Sequence, residues 1–265
     1  MKGRVLIVAG SDSGGGAGIQ ADIKTVTMLG AFAMTAITAL TAQNTEGVFG
    51  VLPIDPAFIR LQMEVVLDDI GADAVKTGML HDAPTIETVA AVLEERAPAV
   101  PLVLDPVMVA KGGAPLIQTD AIEMMKRRLA PRAAVLTPNL PEAEILSGRQ
   151  IGDLAAMLEA ARALLDLGCH AVLLKGGHLP GDTVHDLLAT ASGIREWQSR
   201  RIDSRHTHGT GCTLASAIAA GLAQGMTIEA AVERARDYVQ RAIASAPGFG
   251  RGHGPLNHAH PLRAR

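Results

Sequence analysis

Compact apolar runs alternate along this chain with longer stretches whose apolar positions recur every three or four residues. The runs VLIVAG (5–10), ADAVKTGML (72–80), PLVLDPVM (101–108), AAVLTPNL (133–140) and HAVLLKGGH (170–178) end in or run into Gly, Pro, Asp or Asn, as buried strands do. The clearest helical stretch is 153–167: Leu154, Met157, Leu158, Ala161, Leu164 and Leu165 share one face, and Gly168 follows where a helix reverses into the left-handed region. This alternation predicts a three-layer α/β/α domain built on a mostly parallel sheet. Nearly every strand run continues into a loop of glycines and polar residues: GSDSGGGAG, KTGML, DPVMVAKGG, TPNLPEAE and KGGHLPGD. In open α/β sheets ligands sit at the carboxyl ends of the strands, so these loops are expected to meet at one cleft.

The 265 residues contain no fixed-period repeat and no Pro-, Gly- or Ser-rich linker, which predicts a single domain over 1–265. The longest mostly apolar stretch, 31–42, carries threonines and is too short to cross a bilayer, so no membrane association is expected. The first residues, MKGRVLIVAGSDSGGG, hold an apolar core too short for a secretory signal. An aromatic content of 2% and a net charge of −3 leave little for stacking bases or neutralising a phosphate backbone, which argues against nucleic acid. Cys169 and Cys212 form neither a disulfide framework nor a CxxC pair, in keeping with a reducing cytoplasm. Cys169, beside Gly168, reads as core filler. The tail GFGRGHGPLNHAHPLRAR is expected to be loosely held, with His253, His258 and His260 solvated rather than ligating a metal.

Candidate chemistry concentrates in HGTGCTLASAIAAGLA, 208–223. Gly209 and Gly211 allow a tight turn into an apolar helix whose first amides and dipole would hold an anion; an ordinary tight connection is the alternative. Cys212 at that turn is expected to have a lowered thiol pKa. The loop GSDSGGGAG also leads from a strand into a helix, but it lacks the Lys and Ser/Thr of a P-loop and the full pattern of a dinucleotide fold. Asp22 and Gln43 are polar groups able to bond a small heterocycle, Asp22 being equally readable as a surface carboxylate. Asn139 and Glu142 frame a helix start at Pro141: Glu142 either favours the helix N-terminus by its charge or organises Mg²⁺. Lys175 either reaches a phosphate or is solvated.

Taken together, AGSDSGGGAGIQADIKT (9–25), TALTAQNT (38–45), KTGML (76–80), LDPVMVAKGG (104–113), TPNLPEAE (137–144), LLKGGH (173–178) and HTHGTGCT (206–213) resemble, in order and spacing, the ribokinase-like kinases, and among them the hydroxymethylpyrimidine/phosphomethylpyrimidine kinases of thiamine biosynthesis. The resemblance spans nearly the whole chain. It implies a ribokinase-like fold, a homodimer, and two ATP- and Mg²⁺-dependent phosphorylations, of 4-amino-5-hydroxymethyl-2-methylpyrimidine and then of its monophosphate. It places Gln43 and Asp22 at the pyrimidine's polar edge and Gly10, Met79 and Val107 around the ring. Gly209, Thr210, Gly211 and Cys212 then form the anion hole, with Cys212 where many relatives carry an aspartate base. Asn139, Glu142 and Lys175 surround ATP phosphates and magnesium, and 111–114 forms a lid. His206 stands where relatives often have Asn. A pyridoxal kinase of the same fold is the alternative activity, and a non-catalytic pyrimidine-binding protein the further one.

Overall fold

A computed structural model describes residues 1–108 and 118–263; the expected lid at 111–114 lies outside the described residues. Strand β1 (Arg4–Asp12) leads into helix α1 (Gly18–Met28), β2 (Phe32–Gln43) and β3 (Val48–Pro53). Next come α2 (Pro56–Asp69), β4 (Ala74–Thr77), α3 (Ala83–Arg96), β5 (Leu102–Leu104) and α4 (Thr119–Arg128). The chain continues through β6 (Ala133–Leu136), α5 (Leu140–Ser147), α6 (Leu154–Leu165) and β7 (Ala171–Lys175). It closes with β8 (Thr183–Thr190), β9 (Gly193–Arg200), α7 (Thr210–Ala223) and α8 (Ile228–Ala244).

Among the described residues the sheet has nine strands in the order β3-β2-β1-β4-β5-β6-β7-β8-β9. The pairs from β2 through β7 are parallel, while β3, β8 and β9 join antiparallel at the edges. Strand β1 shows why both faces must be covered. Leu6 and Val8 enter a core with α2 to α6, whereas Val5, Ile7 and Ala9 enter a second core with α1, α7 and α8. The two-residue period of a strand assigns alternate side chains to opposite layers, and a strand apolar on both faces is stable only between two layers of helices.

Several helices begin at side-chain caps. Asp55, Asp82, Asp153 and Thr227 each accept a hydrogen bond from a first-turn amide of α2, α3, α6 and α8. In α6, Met157, Ala160, Ala161 and Leu164 are the fully buried stripe, close to the face expected, and Gly168 has φ +88°.

The tail differs from its expectation of looseness. His253 N–H donates to Thr45 O and Asn257 N–H to Ala242 O, while Tyr238 OH donates to His258 O at 2.7 Å. His258 is buried and hydrogen-bonded to Thr213 Oγ1 at 2.9 Å; desolvation pushes it down to about 4, so it is neutral. A polar tail whose backbone is this fully paired is part of the packed structure.

Candidate active site

The strand ends do converge. The cleft is bounded by the carboxyl ends of β1, β4, β5, β6 and β7 and by the first turn of α7. Its two glycine-rich turns are chemically different. After β1, the Asp12 carboxylate accepts from the amides of Gly14 (2.8 Å), Gly16 (3.0 Å) and Ala17 (2.8 Å). His208 Nε2 adds a fourth contact at 2.9 Å. Desolvation raises the Asp12 pKa, but His208 and the amides outweigh it and hold the carboxyl below its usual range. This loop therefore contains its own anion.

The turn before α7 contains none. Gly209 caps the helix at φ +85°, a conformation that L side chains rarely adopt, and a Cβ there would collide with Gly16 O. Thr210 is used internally: its Oγ1 donates to Thr207 O at 2.7 Å and its amide to the same oxygen at 3.3 Å. The amides of Gly211 and Cys212 follow, and first-turn amides have no acceptor within the helix. A Cβ on Gly211 would lie 3.4 Å from Lys175 Nζ and 3.9 Å from Asp105 Oδ2, so this turn closes on a lysine–carboxylate pair. Lys175 Nζ stands 3.4 Å from Asp105 Oδ1, which also accepts from Thr137 Oγ1. Asp105 Oδ2 is buried without a hydrogen-bond partner.

Asn139 and Glu142 form a capping box on α5. Asn139 Oδ1 accepts from the Glu142 amide at 2.9 Å, and Glu142 Oε2 from the Asn139 amide at 2.8 Å. The Asn139 carbonyl oxygen is thereby committed to the cap. Glu142 is buried and faces Lys175 and Asp105; desolvation, helped by Asp105 and opposed by Lys175, pushes its pKa up to about 7.

On the opposite flank, Gln43 ends β2 with its side-chain amide 3.2 Å from His208 Nε2 and its backbone amide and carbonyl bonded to Ser13 Oγ, each at 2.9 Å. A Cβ on Gly10 would come 2.6 Å from the Met79 methyl carbon, so these two residues pack together, and Val107 is half-buried beyond Asp105.

Two expectations require correction. Asp22, expected at the heterocycle's edge, is fully buried: both its oxygens lie 3.0 Å from Lys76 Nζ, and Ser216 Oγ donates to one of them at 2.7 Å. It is therefore not a surface carboxylate. Cys212, expected to have a lowered pKa, is pushed up to about 12. Desolvation is the largest cause and outweighs Lys76. Part of Cys212 remains accessible, but its sulfur lies deep between α1, β4 and α7.

Asp12, Lys76, Asp105 and His208 were not picked out as site residues from the sequence. A lysine within the strand run ADAVKTGML is the local signal for Lys76. His206 packs against Gly254 of the tail, and its buried Nδ1 has no hydrogen-bond partner.

Phosphoryl transfer asks little of a protein beyond holding two substrates in line and neutralising charge, and a helix N-terminus facing a lysine and buried carboxylates at strand ends does both. The class so defined is the ribokinase-like small-molecule kinases. Residues 12–257 match the family described as phosphomethylpyrimidine kinase, and the chain belongs to that family. It is 47% identical over 256 residues to the hydroxymethylpyrimidine/phosphomethylpyrimidine kinase of Bacillus subtilis, covering 96% of this chain and 94% of that one. It is 55% identical over 258 residues to the thiamine biosynthesis bifunctional protein ThiED of Geobacter sulfurreducens; the match covers 97% of this chain and 52% of that protein, so the chain spans about half its length. An ADP complex of Bacillus subtilis pyridoxal kinase superposes with a TM-score of 0.91 at 36% identity, covering 100% of both chains.

Proposed function

We propose that this chain transfers the γ-phosphate of ATP to the hydroxymethyl group of 4-amino-5-hydroxymethyl-2-methylpyrimidine, and then a second phosphate to the monophosphate. The observation that carries the reading is the α7 turn, which closes on Lys175 and Asp105 at Gly211 and holds no acid of its own. The substrate is argued from 47% identity over nearly the full length of a relative that bears this activity in its name. The hydroxyl oxygen bonds to the γ-phosphorus as the bond to the β-phosphate oxygen breaks. The hydroxyl proton passes to the thiolate form of Cys212, whose own proton has first been given up to solvent, and the charge on the transferred group is met by the Gly211 and Cys212 amides and by Lys175. In the second transfer the acceptor is a phosphate monoester, already largely ionised near neutral pH because its second pKa is about 6, so no base is required.

The buried, unpartnered Asp105 Oδ2 and the neighbouring Glu142 are hard oxygen donors suited to Mg²⁺. Among the described residues no three His, Cys, Asp or Glu side chains group so as to hold a metal, so an ion at Asp105 and Glu142 would take its remaining ligands from water and ATP oxygens. Mg²⁺ would neutralise phosphate charge there, and Asp105 and Glu142 would hold it.

A homodimer is supported by the exposed apolar edge of β3 and α2: Phe49, Leu52, Phe58 and Val65 are each more than half exposed, and such a patch marks an interface. Sedimentation at micromolar concentration tests it. Among the described residues no helix is long and apolar enough to cross a membrane, and two free thiols suit the reducing cytoplasm we infer. Pyridoxal phosphorylation is the second reading, favoured by the full-length superposition on a pyridoxal kinase. Incubation with ATP, Mg²⁺ and either alcohol, followed by product mass, decides: hydroxymethylpyrimidine gains one and then two phosphates, and turnover of pyridoxal alone would refute the reading.

A further inference from the structure

Lys76 is the largest fully buried side chain in the described structure and lies in a strand whose four residues are all buried. Taking an ammonium and a carboxylate out of water costs several kcal/mol each, and apolar residues of the same volume would serve packing as well or better. The pair is placed so as to act on something. Asp22 takes Lys76 Nζ at 3.0 Å on both oxygens and Ser216 Oγ at 2.7 Å on one. Gly18 and Asp22 are four residues apart on α1, and Cys212 and Ser216 four apart on α7, so each pair stacks on one face of its helix. Since Asp22 meets Ser216, Gly18 meets Cys212 one turn along, and the Gly18 amide is aimed at the sulfur. Residue 18 must be glycine for another reason: its φ is +54°, and a Cβ there would lie 2.5 Å from Gly10 O, so α1 starts tight against the end of β1.

We propose that Lys76 is a positioning residue for Cys212: through Asp22 and Ser216 it locks the α1–α7 ladder that places the sulfur, and it supplies the fixed positive charge facing that sulfur when it becomes an anion. The charged groups around Cys212 are Lys76 from β4, Asp22 from α1, Asp105 beyond β5 and Lys175 at the end of β7. Two lysines and two carboxylates cancel overall, so the balance at the sulfur depends on which is nearest. The Lys76 interaction is the largest of the charge interactions there, ahead of both carboxylates. Burial works against the Lys76 charge, but Asp22 and the other anions around it outweigh that and hold its pKa above the ordinary value, so the positive charge persists while Asp22 is in place.

The inference deepens the proposed role of Cys212, but its test reads the thiol directly. In full-length protein carrying Cys169→Ala, which leaves Cys212 the remaining thiol, iodoacetamide alkylation is followed from pH 7 to 10. The single variant Lys76→Met leaves a buried carboxylate unpaired and is expected to be strongly destabilised. The double variant Asp22→Asn/Lys76→Met removes both charges and is expected to regain most of the parental Tm, yet to alkylate at least about threefold more slowly at each pH. A one-unit rise in thiol pKa gives tenfold less thiolate, partly offset by its greater nucleophilicity. Asp22→Asn alone leaves the buried ammonium unpaired and is expected to lose stability as Lys76→Met does; read at pH 7, where the lysine is most fully protonated, it should alkylate faster than the parent. A double variant that folds and alkylates at the parental rate would show the pair to be a structural staple only. If the double variant does not fold, an Asp22→Asn rate equal to or below the parent's overturns the proposal. Kinase assays on the same preparations are read separately: a parent that turns over neither alcohol breaks the functional reading and leaves the thiol result intact.

Discussion

The turn after β1 and the turn before α7 look alike in sequence, each a glycine-rich passage into a helix, yet they are electrostatic opposites. The first wraps its amides around Asp12. The second starts at Gly209 in the left-handed region and approaches Lys175 at Gly211, with no carboxylate inside the turn. A helix or loop N-terminus stabilises whichever anion reaches it first, and an aspartate already inside the loop repels a phosphate. Glycine content therefore marks where backbone can turn sharply, while the neighbouring carboxylate decides whether the turn is scaffold or site.

Cys212→Ala should have the largest effect. The first phosphorylation should fall by about 10² to 10⁴, the span for loss of a proton acceptor. The second, measured by supplying the monophosphate, should fall far less because the amides remain. With the thiol pushed up to about 12, the wild-type first step should keep accelerating toward alkaline pH and show no plateau near neutrality. Equal losses in both steps would mean that Cys212 shapes the turn and moves no proton.

Next comes Gly209→Ala. A left-handed φ costs a non-glycine residue about 1–2 kcal/mol, and the collision with Gly16 O adds to it. Urea unfolding should register a loss of at least about 2 kcal/mol, with weaker ATP turnover. Asp12→Asn probes the other turn and should cost about 1–3 kcal/mol at pH 7 by loosening several buried hydrogen bonds, with catalysis much less affected than stability. Because the folded Asp12 pKa lies below its unfolded value of about 3.9, its contribution is present above that pH and lost as pH falls through the folded pKa. The stability gap between parent and variant should accordingly shrink below about pH 4. The smallest effect is expected for Ser13→Ala. Its exposed hydroxyl links the first turn to Gln43, and its loss should weaken pyrimidine binding by about 1 kcal/mol or less, read by calorimetry, with ATP affinity unchanged.

The central strands were legible because a strand buried on both faces must be a short apolar run. The antiparallel edge was not. Strand β9, GIREWQSR, is largely exposed and half polar, and its partner β8 has only three fully buried residues, so neither forms such a run. Strand β2 reads in sequence as an apolar stretch too short for a membrane, and nothing local marks it as the neighbour of β1. In the site, glycines and a lysine at strand ends were visible because their roles are local, as was the helix start at Pro141. Partners far apart in the chain were invisible: Asp22 pairs with Lys76 54 residues away, and His208 with Asp12 196 residues away.

By itself the sequence determined the layer order, the strand ends on which the site is built and the turn that opens α7, because hydrophobic period and glycine placement act over a few residues. Tertiary structure decided the ionisation of the site. For Cys212 a helix N-terminus favours the anion by an amount that falls off within one turn, whereas packing among α1, β4 and α7 strips the sulfur of water and dominates. For Asp22 the same burial turned a possible ligand into the counter-charge of a hidden lysine. Desolvation depends on everything that surrounds a group, and no local pattern of residues encodes it.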